Sequence, residues 1–140
     1  MARDKIHNIV VKALEEDGWE VNNDPLYIKY DINQGAFEID LGAEKLIAAK
    51  KENDRIAIEI KTFAGSIGNQ FHMALGQFLD YEAALAASPN DNDRILYIAL
   101  PEEAYNKLNS ILFFRQRIQQ HGLRFISIDL EAKNIVAWID

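Results

Sequence analysis

No cysteine occurs in the 140 residues of this chain. Disulfides, thiolate nucleophiles and Cys-ligated zinc or iron–sulfur centres are therefore excluded, and a reducing compartment is the natural setting. Positive charge is also short: 15 Lys and Arg face 22 Asp and Glu, a formal charge of -7. A non-specific grip on DNA or anionic lipid depends on clustered Lys and Arg, so any nucleic-acid contact has to be local, with a partner or a metal ion supplying the missing positive charge. Apolar runs are short and interrupted by charge, so none spans a bilayer, and the opening Met-Ala-Arg-Asp-Lys lacks the apolar run of a signal peptide. A soluble, cytoplasmic protein is expected. Internal repeats, low-complexity tracts, a phosphate-cradling Gly-rich loop and a nucleophile elbow are missing as well.

What is present suits one domain over residues 1–140, since 49% of the residues are apolar and can fill a core. From Asp4 to Asp17 the residues His7, Val10, Val11 and Leu14 recur at helical spacing, and Gly18 stands where a helix stops. His7 on that stripe reads as a hydrogen-bonded core residue or, less commonly, as a ligand. Trp19 to Val21 and Leu26 to Tyr30 read as extended, and Asp31 to Ala36 as a polar loop. Two hairpin arms follow, near 44–51 and 55–63, joined through Glu52-Asn53-Asp54. A loop over 64–69 leads into a helix from about Gln70 to Ala87, whose core stripe is Phe71, Leu75, Phe78 and Leu85. Gln77 and Tyr81, one turn apart, share a face offset from that stripe. Arg94 to Leu100 is a buried strand. Pro101 opens a helical region with Tyr105, Leu108, Leu112 and Phe113 on its apolar side and a break near Asn109-Ser110, and 123–129 with 135–139 form a terminal hairpin.

The second arm of the central hairpin carries charge where a plain core hairpin would not. Ile56, Ile58 and Ile60 alternate with Ala57, Glu59 and Lys61, and the strand period sends the two sets to opposite faces. Glu59 and Lys61 are then neighbours, and Asp40, just ahead of the first arm, brings a second carboxylate toward them. Two acids and an ammonium make a candidate metal and phosphate site. Glu44, which begins the first arm, is the alternative acid. The competing reading of Glu59 and Lys61 is an ordinary ion pair on a half-exposed strand.

Asp40, Glu59-Ile60-Lys61, Gln77 and Tyr81 together resemble the PD-(D/E)xK nuclease superfamily, including the Q-xxx-Y helix of some members. That resemblance implies an α/β (α+β) fold with a restriction-endonuclease-like core: a mixed central sheet flanked by helices in the order αβββαβ, followed here by a C-terminal helix and hairpin. It implies Asp40 and Glu59 as ligands for Mg²⁺ or Mn²⁺ with the Ile60 carbonyl, Lys61 beside the attacking water, and Gln77 and Tyr81 as positioning groups. Ile39 stands where the superfamily has proline. A closer resemblance is to the XisH family of fdxN element excision controlling factors. It is carried by His7, Asp17-Gly18-Trp19, Asp24-Pro25, the run from Asp40 to Ala49, Ile58-Glu59-Ile60-Lys61, Ala74 to Phe78 with Tyr81, Tyr97 to Pro101, Phe113-Phe114 and Trp138-Ile139.

This second resemblance implies a role in programmed excision of a DNA element during heterocyst development in cyanobacteria, beside a site-specific recombinase and an XisI-like companion. Two functions follow as expectations: a Mg²⁺-dependent endonuclease, or a non-catalytic accessory factor that keeps the fold and acts through protein partners or DNA. An acidic chain completes a nucleic-acid groove with a second surface, which makes a homodimer a further expectation.

Overall fold

The computed structural model describes residues 2–47 and 52–140. Helix α1 (Ala2–Glu16) is followed by β1 (Glu20–Asn23), β2 (Leu26–Asp31), β3 (Gly35–Ile39), β4 (Leu41–Ile47) and β5 (Glu52–Ile60). Helix α2 (Ile67–Ala87), β6 (Ile95–Pro101), α3 (Glu102–Ser110), α4 (Leu112–His121), β7 (Phe125–Asp129) and β8 (Asn134–Ile139) complete the order. The architecture is mixed α+β. Six strands form the main sheet in the order β1-β4-β5-β6-β7-β8, while β2 and β3 form a separate two-stranded sheet. Strands β5, β6 and β7 run parallel, and β1, β4 and β8 are antiparallel to their neighbours.

The apolar run of β6 is continuous, and β7 is buried along Phe125 to Ile128 with only Ser127 polar, because both faces of the sheet are covered. Leu96, Ile98, Leu100 and Phe125 join Phe71, Ala74 and Phe78 of α2 in one core cluster. Tyr97, Ala99, Ile126 and Ile128 point the other way and join Ile6, Ile9, Val10 and Leu14 of α1 in a second. Strand β5 obeys the same alternation: Ile56 and Ile58 pack toward α1 and Ala57 toward α2. Glu59, in phase with Ala57, is therefore aimed at α2.

Several elements differ from the sequence expectation. The segment read as a loop over 31–36 contains the start of β3, and five strands stand between α1 and α2 where the expected order αβββαβ has three. An Asx turn, with the Asn33 N–H donating to Asp31 Oδ2 at 2.9 Å, makes the reversal shorter than the polar composition suggested. Glu52, Asn53 and Asp54, read as the join of the central hairpin, pair with Ile47, Leu46 and Lys45 as strand. Residues 48–51, where the first arm was expected to end, lie outside the described residues.

The helices differ too. In α1 the buried stripe is Ile6, Ile9, Val10, Ala13 and Leu14, leaving His7 half-buried at its edge. Helix α2 begins at Ile67 rather than Gln70, and Tyr81 is in its core stripe instead of offset from it. The region after Pro101 is two helices broken at Ile111, with Leu112 and Phe113 exposed. Phe114 turns inward instead and stacks on Phe71 with ring centroids 4.8 Å apart. Two helix ends follow the sequence closely. Gly18, at φ 94, and Gly122, at φ 62, occupy the left-handed positions that terminate α1 and α4, where a side chain is strained.

Candidate functional site

At the C-terminal end of β5 the chain carries Glu59, Ile60 and Lys61 past the last residues of the β3–β4 connection. Asp40 sits in that connection between Ile39 and Leu41, both fully buried, so its backbone is anchored on either side. A reciprocal pair of hydrogen bonds ties the two segments. The Ile60 N–H donates to Asp40 Oδ2 at 2.8 Å, and the Asp40 N–H donates to Glu59 Oε1 at 3.3 Å. Lys61 Nζ lies 3.5 Å from Glu59 Oε2. The structure therefore brings Asp40, Glu59 and Lys61 together, Glu59 and Lys61 as the strand period suggested and Asp40 through the β3–β4 connection.

Electrostatics at this point are unbalanced. Burial, then the charge of Asp40, pushes Glu59 up to about 7, against the opposing pull of Lys61 and the backbone N–H of Asp40. Glu59 is only 8% exposed. With both acids ionised, two carboxylates and one ammonium leave an excess of negative charge that a hard divalent cation would offset.

Around this point lies a cleft of about 620 Å³. Helix α2 forms one wall with Gln70, Met73, Gln77 and Tyr81, while His7, Pro25 and Glu38 contribute from α1 and from the ends of β2 and β3. Tyr81 is buried, and its ring lies 5.2 Å from that of Phe37. Burial, then Glu59 and Asp40, pushes its hydroxyl up to about 12, so it remains neutral and able to donate a hydrogen bond. Gln77 lines the cleft, and its Oε1 is buried with no hydrogen-bond partner among the described residues. His7 Nε2 lies 2.9 Å from Asp24 Oδ1 and 3.0 Å from Asp24 Oδ2, so the imidazole is held at the cleft wall by a carboxylate and is not a buried core group.

Glu44 is elsewhere. It pairs with Arg55, whose Nε lies 3.0 Å from Glu44 Oε1 and whose Nη1 donates to Asp93 Oδ1 at 2.6 Å and to the Asn90 carbonyl at 2.7 Å. That cluster ties the central hairpin to the connection after α2. The acid beside Glu59 is Asp40. Among the residues not singled out beforehand, Glu38 had a readable signal, because it is two positions before Asp40 on an extended segment. Gln70 and Met73 had none, since their place depends on how α2 crosses the end of β5.

Among the described residues no group of three or more His, Asp and Glu side chains is gathered for a metal ion. The donor set that fits is two carboxylates with a backbone carbonyl, an all-oxygen set suited to a cation that keeps several waters. The backbone after the site is strained: Phe63 has φ 55, a left-handed conformation costing ~1 kcal/mol for a residue with a side chain.

The family model for the XisH protein matches residues 1–136. The chain belongs to the XisH family. Two solved structures agree. An XisH family protein from Nostoc punctiforme is 34% identical, with a TM-score of 0.83 over 98% of this chain and 100% of that one. An fdxN element excision controlling factor protein from Anabaena variabilis is 32% identical, with a TM-score of 0.83 over 98% of this chain and 99% of that one. No match was found among curated proteins. Among the described residues of this XisH family chain, no helix is long and apolar enough to cross a membrane.

Proposed function

We propose that this XisH family protein is an excision controlling factor for a DNA element and that its cleft hydrolyses a phosphodiester with Mg²⁺ or Mn²⁺. The excision role is supported by likeness to the Anabaena variabilis protein. The chemistry rests on one observation, the convergence of the Asp40 and Glu59 carboxylates with Lys61 alongside. The element order gives support: with the β2–β3 hairpin set aside as its own sheet, the main sheet is built as helix, three strands, helix, strand through β6, as in a PD-(D/E)xK core.

Asp40, Glu59 and the Ile60 carbonyl are the groups that would hold the cation, which when bound polarises a phosphoryl oxygen. Water forms a new bond to phosphorus as the bond to the leaving sugar oxygen breaks; the water gives up a proton to solvent and the leaving oxygen takes one back. Lys61 orients that water and balances the charge growing on the phosphoryl oxygens. Gln77, with its unmatched carbonyl, accepts from Lys61 or from a nucleotide N–H. Tyr81 packs behind it and keeps the wall rigid.

The test is a cleavage assay on supercoiled and linear DNA with Mg²⁺ or Mn²⁺. Lys61→Ala is expected to lower cutting by about 100-fold or more while the fold is kept. Equal cutting by parent and variant removes this mechanism. The formal charge of -7 favours a second reading, an accessory factor whose partner is a protein. Co-purification with an XisI-like companion or the recombinase, unchanged by Glu59→Gln and without metal-dependent cutting, would select that reading.

A further inference from the structure

We propose that a second cavity, beside the Asp40 and Glu59 cleft, seats one unstacked nucleotide of a single-stranded nucleic acid. The choice of ligand rests on reading the cleft as a phosphodiester site. The cavity is an open pocket of about 560 Å³, within the size range of small-ligand pockets. Ile6 and Thr62 line both spaces, so cleft and cavity are adjacent. The cavity lies where the parallel strands β5, β6 and β7 end, the edge of an open sheet at which ligands bind.

Its walls suit a base. Ile9, Phe63, Pro101 and Ala104 make an apolar lining drawn from α1, the strained turn after β5, the end of β6 and α3. Lys5 and Lys107 also line it, are exposed, and make no ion pair among the described residues, so two ammonium groups are available to phosphates entering and leaving. Glu103 and Glu131 line it as well, and a carboxylate accepts from the exocyclic amino group of a base. An apolar lining with both donors and acceptors at its rim matches a nucleotide better than a uniformly charged or uniformly apolar ligand. A base paired within a duplex cannot enter such a space without leaving its stack, which favours single-stranded substrate.

The experiment measures fluorescence anisotropy of a labelled single-stranded octanucleotide, and of the same sequence as duplex, with EDTA present to stop hydrolysis. The parent is expected to prefer the single strand. Lys107→Glu, Lys5→Glu and the cavity-filling Ala104→Trp are each expected to weaken single-strand binding by about tenfold or more. Circular dichroism establishes that each variant folds; if Ala104→Trp does not, the two exposed lysines decide. Parent that binds no strand, or prefers duplex, overturns the proposal, as do variants that bind like the parent. Parallel cleavage assays separate the two readings. Metal-dependent cutting with cavity variants that bind as the parent overturns the cavity alone, whereas cavity-dependent strand binding without cutting under any metal overturns the hydrolysis alone.

Discussion

At Glu59, burial and the charge of Asp40 both work against ionisation, and Lys61 with the Asp40 N–H works for it. An acid retained in such a position costs stability when charged. Glu59→Gln, which keeps the shape and removes the charge, is therefore expected, above neutral pH, to raise the thermal midpoint of the metal-free protein and to abolish the metal-dependent cutting proposed above. Differential scanning fluorimetry with EDTA checks the first part; a lowered midpoint would make Glu59 a purely structural ion-pair member. Tyr97 gives a separate pH dependence. Burial and the hydrogen bond from its hydroxyl to Asp140 Oδ1, at 2.9 Å, push it up to about 12. In the unfolded chain a tyrosine titrates near ~10. Between these values the unfolded state loses its proton first, so this group's contribution to stability is full below pH ~10 and is lost as pH rises toward 12. Urea titrations should show that alkaline loss in the parent and a smaller one in Tyr97→Phe.

At the scale of elements, the site depends on how β4, β5 and the connection after α2 are fastened. Arg94, 8% exposed, donates to Asp91 Oδ1 at 2.7 Å, to the Ile56 carbonyl at 2.8 Å and to Asn23 Oδ1 at 3.2 Å. Its guanidinium fits because Gly42 leaves room: a Cβ there would be 3.0 Å from Arg94 Nη1. Arg94→Ala leaves the Ile56 carbonyl and the Asp91 carboxylate without this partner and is expected to cost about 3 kcal/mol, read as a lower urea midpoint. A change below ~0.5 kcal/mol would show that these groups are satisfied by water. The alternation of Ile56, Ile58 and Ile60 with Ala57, Glu59 and Lys61 was legible and placed Glu59 and Lys61 on one face; that this face is the α2 side came from the packing of Ala57. The β3 strand was not, because Gly35-Ala36 in a polar stretch reads as a turn and becomes strand through pairing with Lys29 and Asp31. Tyr81 was misplaced on the helix surface for a related reason. Its burial comes from Phe37, a partner that helical spacing alone does not reveal.

For the whole molecule, two core clusters lie on opposite faces of one sheet and share β5, β6 and β7 as their common wall. Leu14→Ala in one cluster and Phe78→Ala in the other are each expected to cost about 3 kcal/mol. Because the two side chains belong to different clusters, the double variant should lose the sum within ~0.5 kcal/mol in one cooperative transition. Two separate transitions in denaturant would mean that the faces unfold independently. The mixed sheet-and-helix class was legible from short-range order, because strand and helix periods are written in neighbouring residues, while the XisH family was legible only through the resemblance carried by stretches such as Asp40 to Ala49 and Ile58-Glu59-Ile60-Lys61. The charged triplet Glu59-Ile60-Lys61 was equally local. Only the tertiary structure decided which acid stands beside it. Asp40 and Glu44 are four residues apart, yet the chain between them enters β4, so Asp40 bonds to Ile60 while Glu44 is carried along the sheet to Arg55. That choice depends on the register of β4 against β5, a long-range pairing that no local pattern encodes.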